Sequence, residues 1–513
     1  MNTNEEELYT TIGEEFNDLQ KSKNTFLERV RLCSMLTIPS LIPPEGSGIN
    51  TVLPTPYQSV GAQGVNNLAS KLLLALFPPT IPFFKLSLKK EAKERIDGQQ
   101  AAEAEAALSD WERVLLKKFE SSQNNRSKLF EAFKHLIVSG NYLLKFHKEN
   151  KDEWKFVGYS ISDYVVKRDL TGRLLKAIMR ERIDFKGLSP KIQKMIRAKE
   201  IANEVQDNGG NNLDTTIENV LFTKIELLNN GSYKETREIN GVKIDEKVYN
   251  KNLPYLFLRW STSTTESYGR GLTEEYLGDL QSLEGLSKSL YEGAAIAAQT
   301  YYLLRPGSTL KASQLQKAKS GDILVGREED LTVVSNAKKQ SDFATAYQQA
   351  IKVEERLSRA FLLLNPRNAE RVTAEEIRRT SQELETSLGG VYSLLASELQ
   401  LPLAKLLIQE YGKDIKSVAD LQIFTGVDAL GRGNDYSRLA TFLNVISGIP
   451  DSMSYINLPV LLNKLLASVG VETKGIIKSQ EQIQQEQMQA QQAALAQQIA
   501  PQVMQQQSQA PQQ

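Results

Sequence analysis

The spacing of apolar residues changes period twice along this chain, which rules out both an all-helical bundle and a pure β fold. Over residues 5–36, Leu8, Ile12, Phe16, Leu19, Phe26 and Val30 recur at helical intervals and predict an amphipathic helix. From about residue 141 the pattern becomes that of strands. Tyr142–Phe146, Lys155–Val157, Tyr164–Val166, Leu174–Phe185, Val220–Leu228, Tyr233–Ile239 and Val242–Tyr249 are short β-prone runs joined by polar turns. Asn229-Asn-Gly231 and Asn240-Gly241 are hairpin signals, because Asn and Gly tolerate the positive φ of tight turns. From 273 the helical period returns, with Tyr276, Leu280, Leu283, Leu286, Leu290 and Ala294 on one stripe up to residue 300. The fold class expected is α+β, mainly helical, with an antiparallel β region set inside a helical chain.

Proline and glycine divide the helical parts. Pro39, Pro43, Pro44, Pro54 and Pro56, with Gly46 and Gly48, make 37–58 an extended loop. A helix over 59–77 stops at Pro78-Pro79; Val65, Leu68, Leu72 and Leu76 form its apolar stripe, and Gly61 and Gly64 allow close approach. Helices over 91–120 and 124–140 precede the β region. After 300 comes a small α/β insert, 301–341, with a strand pair expected between Asp322–Val325 and Leu331–Val334. A second long helix, 342–364, ends at the loop Asn365-Pro-Arg-Asn368. Thr373-x-x-Glu376 is a capping box that opens a helix running to about 411, with bends expected at Gly389-Gly390 and Pro402. Residues 412–478 read as a smaller, mostly helical unit. From 480 to 513, 17 of 34 residues are Gln and none is Lys or Arg, so this tail lacks the apolar surface to offset chain entropy and is expected to be disordered or a fraying helix.

Composition narrows the function. Lys and Arg together number 62, as do Asp and Glu, so the chain is formally neutral, which argues against a surface that grips nucleic acid everywhere. With Cys33 as the only cysteine there is no intramolecular disulfide, and Cys33 reads as a small buried hydrophobe. His135 and His147 match no metal-ligand spacing. The acidic N-terminus is unlike a signal peptide, and the run Leu72–Phe77 is far shorter than the roughly 20 residues a bilayer needs, so a soluble protein with no membrane contact is expected. There is no GxxxxGK[ST], no GxSxG, and Gly269-Arg-Gly271 and Gly431-Arg-Gly433 lack the third glycine of a dinucleotide loop. No catalytic residue, cofactor or metal site is expected. What remains is architectural: two long amphipathic helices flank a compact insert, and a loop rich in Arg and Asn follows the second.

Four segments carry a resemblance to a known family. They are Tyr57–Phe77 followed by Pro82–Leu86; Arg259-Trp260 leading into Glu266-Ser-Tyr-Gly-Arg-Gly271 and Glu275–Glu284; Gly321-Asp-Ile-Leu-Val-Gly326 with Glu329-Asp330; and Arg371-Val-Thr-Ala-Glu-Glu-Ile377 continuing through Leu388-Gly-Gly-Val-Tyr392 to Pro402. In this order, over about residues 55–405, they resemble the portal, or head-to-tail connector, proteins of short-tailed bacteriophages.

The resemblance implies a portal fold with wing, stem, clip and crown, assembling as a ring of twelve copies at one capsid vertex. It divides the chain into a wing (1–272), stem helices (273–300 and 342–364), a clip (301–341), a tunnel loop (365–372), a kinked wing helix (373–411), a crown (412–478) and the Gln-rich tail (479–513). It implies a channel through which double-stranded DNA is packaged by the terminase and later ejected. Its partners would be other copies of the chain, the DNA, the terminase large subunit, scaffolding and major capsid proteins, and a tail adaptor. The place would be the virion, after assembly in the host cytoplasm. Duplex DNA carries about one charge per 1.7 Å, so a uniformly basic channel would hold it, whereas a few cations at chosen heights would guide it. Lys338, Lys339, Lys352, Arg367 and Arg371 are the candidates, each with an inter-subunit or surface ion pair as its plain alternative. Gly269 and Gly271 would allow a tight turn into the first stem helix, with Arg270 pairing to a neighbour. The competing readings are a nucleic-acid-processing motor enzyme, which the missing phosphate-binding loop opposes, and a tail or scaffold interaction protein without a channel.

Overall fold

A computed structural model of the chain describes residues 9, 11–48, 50–79, 82–96, 98–122, 124–149, 153–197, 219–250, 252–297, 301–334, 340–363, 374–412, 415, 419–423, 441–445, 461–462 and 488. Contacts group the chain into two units, Met1–Pro79 with Lys118–Leu406, and Thr80–Lys117 with Leu407–Gln513.

α1 (Ile12–Met35) starts where the Thr11 hydroxyl accepts from the Glu14 amide at 3.2 Å, with Glu14 and Glu15 favourably placed in the first turn. α2 (Val60–Leu76) ends ahead of Pro78, and its predicted stripe Val65, Leu68, Leu72 and Leu76 is buried. Gln58 ties the two helices together, donating to the Leu36 carbonyl at 2.6 Å and accepting from the Gly61 amide at 2.9 Å. Then come β1 (Phe84–Leu88), α3 (Lys90–Lys93), α4 (Gly98–Glu120) and α5 (Asn125–Ser139), which stops at Gly140 in the left-handed region, φ 73°.

The β region has the predicted strands and one more. β2 (Asn141–Lys148), β3 (Trp154–Tyr159), β4 (Tyr164–Arg168), β5 (Leu174–Arg182), α6 (190–197), β6 (Val220–Leu227), β7 (Tyr233–Ile239), β8 (Val242–Tyr249) and β9 (Tyr255–Arg259) form two antiparallel sheets, ordered β3-β2-β9 and β4-β5-β6-β7-β8. β9 escaped the periodicity search because all five of its residues are buried, leaving no alternation to detect. At the β7–β8 turn Asn240 and Gly241 take φ 47° and 75°, the mirror-image turn that suits strand twist.

α1 packs across the five-stranded sheet through Ile12, Phe16, Val165 and Ile178, with Leu19 and Phe222 at the margin. Inside this contact the Glu15 carboxylate meets Lys176 and Lys224. Burial raises its pKa, but the hydrogen bonds from the two ammonium groups outweigh burial and hold it below the usual carboxylate range. Lys23, 2% exposed, donates to the carbonyls of Ile161 and Tyr164, both at 2.6 Å.

Beyond β9 the chain forms α7 (Leu272–Glu275), α8 (Leu277–Ala297), β10 (Tyr301–Leu304), α9 (Ala312–Lys317), β11 (Leu331–Val334), α10 (Gln340–Ala360), α11 (Ala374–Leu395), a π-helical stretch Ala396–Gln400, α12 (Leu401–Tyr411) and β12 (Ala419–Ile423). The strand pair of the insert differs from expectation. β11 pairs with β10, Tyr301 opposite Val334 and Leu304 opposite Leu331, while Asp322–Val325 is not a strand and leaves Ile323 and Val325 95% and 81% exposed. A 3₁₀ turn at Glu328–Asp330, closed by the Asp330 carboxylate on the Arg327 amide, redirects the chain between the two segments. β12, within a segment read as mostly helical, pairs antiparallel with β1, Phe84 opposite Ile423.

Both predicted bends of the helix after 373 are present. Leu388 departs from helical geometry (φ −130°, ψ 29°) just before Gly389-Gly390, and the π-helical stretch lies just before Pro402, which has no amide hydrogen to donate. Thr386–Tyr411 is long and apolar enough to cross a membrane by composition, but half of its most apolar window is buried in the protein, including Leu395, Leu399 and Leu403, as in a core helix.

Burial pulls the Lys23 pKa down to about 7, against the ordinary lysine value near 10.4; Asp163 opposes the shift while Arg180 and Arg31 add to it. Between those two values the unfolded chain binds more protons than the folded one, so this group's contribution to stability rises with pH and is flat below about 7. Denaturant titrations of wild type and Lys23→Met at pH 6.5 to 9.5 are expected to show a stability difference that moves in favour of wild type as pH rises. A pH-independent difference would show that Lys23 titrates normally.

Candidate functional site: the helical hairpin and its mounting

α8 and α10 run antiparallel, joined through the insert that holds β10 and β11. The register is marked at one end by Arg356 donating to Asp279 at 2.7 Å. At the other end Gly293 lies under the Phe343 ring, which leaves no room for a Cβ. Apolar burial is strong near the base, with Leu280, Leu283, Val353 and Leu357 between 0 and 7% exposed. It fades toward the insert, where Tyr291 and Tyr347 are 67% and 57% exposed. The predicted stripe of α8 is therefore covered only in its first half within one chain: Leu286 and Leu290 are half-buried and Ala294 is exposed.

The mounting of this hairpin rests on a backbone crossing. Residues 269–271 pass directly over the end of α5. A Cβ on Gly269 would lie 2.7 Å from the carbonyl oxygens of Gly140 and Ser261, and one on Gly271 would lie 2.7 Å from those of Ile137 and Val138. Asn141, the first residue of β2, locks the crossing: its amide nitrogen donates to the Gly269 carbonyl at 2.7 Å and its oxygen accepts from the Gly269 amide at 2.8 Å. Thr273 adds a hydroxyl bond to the Val138 carbonyl at 2.8 Å. Gly269 and Gly271 thus leave room for two stretches of backbone to cross just before the chain enters α7. Arg270 pairs within its own chain, with Glu266 and Glu274.

Two further side chains brace the hairpin. Glu284 of α8 accepts from the backbone amides of Tyr57 and Gln58 at 3.0 and 3.2 Å, fastening the end of the proline-rich loop. Glu398, in the π-helical stretch, accepts from the Arg259 amide and from Nε, both at 2.9 Å, and from the rest of the guanidinium. Arg259 is 7% exposed, so this is a largely buried ion pair, with the guanidinium on one carboxylate oxygen and the backbone amide on the other, joining β9 to the kinked helix.

Of the candidate channel cations, only Lys352 falls within the described residues. It is exposed on α10, one turn from Arg356. Lys338, Lys339, Arg367 and Arg371 lie outside the described residues, as does the loop 365–372. His135 is buried in α5, stacked on the Tyr142 ring at 4.6 Å, and burial takes its pKa down to about 4, so it is neutral at physiological pH. Cys33 is buried in α1, and burial pushes its thiol up to about 11. Among the described residues no three His, Cys, Asp or Glu side chains cluster as metal ligands. Arg259 and Glu284 fall in the segments that carry the resemblance, without a role read for either, and Asn141 and Glu398 are not singled out in the sequence. Gly140-Asn141, a helix stop followed by a polar strand start, was the one local signal.

The family model for bacteriophage head to tail connecting proteins matches residues 10–477. The portal protein of Enterobacteria phage T3 is 36% identical over 501 residues, covering 93% of this chain and 90% of its own. That of Escherichia phage T7 is 36% identical over 488 residues, covering 91% and 88%. Among solved structures, the neck of an empty gene transfer agent particle aligns with 77% of this chain and 90% of its own, at 13% identity and a TM-score of 0.37, which adds no weight to the sequence relatives. A helical hairpin mounted on a β-rich body, in a chain matched along nearly its whole length, defines a structural connector. The chain belongs to the bacteriophage head to tail connecting protein family. Its role is that of a portal protein, at the portal vertex of the virion, where the genome is packaged and ejected and where head joins tail.

Gly271→Ala is expected to destabilise the protein by about 1–3 kcal/mol or more, since the methyl group meets backbone carbonyls that cannot move aside. Gly285→Ala, at a helical glycine with open space around it, is expected to be neutral or stabilising by up to about 1 kcal/mol. Denaturant midpoints of the two variants check the contrast.

Proposed function

We propose that twelve copies form a ring in which the α8–α10 hairpins stand side by side around a central hole, and that double-stranded DNA passes through it. The observation that carries this reading is the fading burial along the hairpin: a single chain leaves Tyr291, Tyr347 and the outer part of the α8 stripe uncovered, as a contact surface for neighbouring hairpins would be. In this reading residues 273–300 and 342–364 are the stem, 301–341 the clip, 365–372 the tunnel loop, 373–411 the kinked wing helix and 412–478 the crown, with 1–272 as the wing.

The clip would dock the terminase large subunit during packaging and the tail adaptor afterwards. The exposed Ile323 and Val325 support an interaction role for the insert. The wing would meet scaffolding and major capsid proteins. The subunit acts without chemistry of its own, as a guide and a joint, while the motor supplies the work. A neutral chain with Lys352 exposed on the stem, and with Lys338, Lys339, Arg367 and Arg371 as further candidates, would steer the duplex by a few phosphate contacts and let it slide.

Negative-stain class averages of the purified protein, with scaffold added, are expected to show rings with a hole wide enough for duplex DNA. Uniform monomers under those conditions would overturn the ring. Deleting 301–341 is expected to leave ring formation partly intact and to abolish motor docking. Packaging retained by that deletion would remove the clip assignment.

A further inference from the structure

The hairpin's second helix ends in an unusual way. The Leu362 amide bonds to the Arg359 carbonyl at 3.1 Å and the Leu363 amide to the Ser358 carbonyl at 2.7 Å, which is a Schellman stop. The residue in the left-handed position of that stop is ordinarily glycine; here it is Leu362, at φ 53°. A leucine persists in that conformation only when its surroundings over-determine it.

One face of α2 provides those surroundings. Gly64, Asn67 and Lys71 are spaced three and four residues apart and so lie in line on the helix surface. Gly64 receives the Phe361 ring, which is 0% exposed; a Cβ there would sit 2.5 Å from it. The Asn67 amide donates to the Phe361 carbonyl at 3.2 Å and to the Leu362 carbonyl at 3.0 Å. The Lys71 ammonium donates to the same Leu362 carbonyl at 2.8 Å and reaches Glu383 of α11 at 3.3 Å. At 7% exposure Lys71 is spent on these partners and is no surface cation. It therefore touches the chain on both sides of segment 364–373: the carbonyl just before it and the helix just after it.

We propose that Gly64, Asn67 and Lys71 are positioning residues that anchor the root of the loop 365–372, fixing the direction in which the chain leaves the hairpin. The inference rests on the reading of that loop as the tunnel loop for its consequence, but not for its geometry. The anchor acts through Leu362, without touching DNA. It also accounts for the helix over Tyr57–Phe77 beyond its apolar stripe: the stripe holds α2 in the core, and the opposite side of its work is the hold on the loop.

The test uses full-length assembled protein and the two tryptic sites in the segment, Arg367 and Arg371. The Asn67→Leu, Lys71→Met double variant is expected to be cut there about tenfold faster, the effect of losing hydrogen bonds to an otherwise unsatisfied carbonyl. Cleavage at Lys352 and Arg356, inside the hairpin, is expected to stay unchanged. Lys71→Arg, which keeps a cationic donor, is expected to restore slow cleavage. Should the double variant fail to assemble, Glu383→Gln, which leaves the carbonyl bond in place, is expected to raise cleavage about twofold to threefold, as for a partly screened ion pair. Unchanged cleavage in the double variant, or in Glu383→Gln where that variant is the one available, overturns the anchor. Packaged DNA per particle is measured in parallel. Faster cleavage with less retained DNA supports both anchor and tunnel loop; faster cleavage with wild-type DNA content supports the anchor and removes the tunnel-loop reading.

Discussion

Three glycines and one asparagine decide where everything else in the larger unit can be. At Gly140, Gly269 and Gly271 two stretches of backbone come closer than any side chain permits, and Asn141 bonds to both polar groups of Gly269. α5 ends, β2 begins and the hairpin departs within this one contact. The packing of α5 against α2 and the pairing of β2 with β3 and β9 then carry its geometry outward. Because the contact is backbone on backbone, it has no soft side chain through which error can be absorbed.

The braces around it share a type. Glu284, Glu398, Asn67 and Lys71 each place a polar side chain on main-chain groups far away in sequence. The buried Arg259–Glu398 pair adds little net stability over apolar packing, because desolvation offsets most of the attraction. Its effect is on register: only one placement of the kinked helix against β9 satisfies both charges. Directional bonds to backbone fix the angle of the hairpin better than apolar area does, because apolar burial is indifferent to orientation.

Much of this was legible in the sequence. Helices with a covered stripe, such as α1 and α2, announce themselves by period, and the β7–β8 hairpin by Asn240-Gly241. Gly389-Gly390 and Pro402 marked bends through rules of backbone sterics. The misses have physical causes. β9 is buried on both faces and shows no period. Asp322–Val325 looks like a strand by composition, yet strand pairing depends on a partner, and Tyr301–Leu304 took that place. In the site, Gly269 and Gly271 stand out in the sequence as glycines, but what demands them, the backbone of residues 137–140, lies far off in the chain. Asn141, Glu284, Lys71 and Glu398 do not stand out, since each is an ordinary polar residue until the fold brings its distant partner alongside.

The sheet of β1 and β12 sets a clock on synthesis. Phe84 to Leu88 emerge early from the ribosome, but their partners, Ala419 to Ile423, are made only after most of the chain has followed. At roughly 5–20 residues per second, β1 waits on the order of tens of seconds with its hydrogen-bonding edge open. A chain broken off anywhere before β12 keeps that edge exposed for good, where chaperones and proteases can recognise it. Closure of this small sheet therefore reports that synthesis has passed residue 423, and until then the early strand depends on whatever else in the cell can shield it.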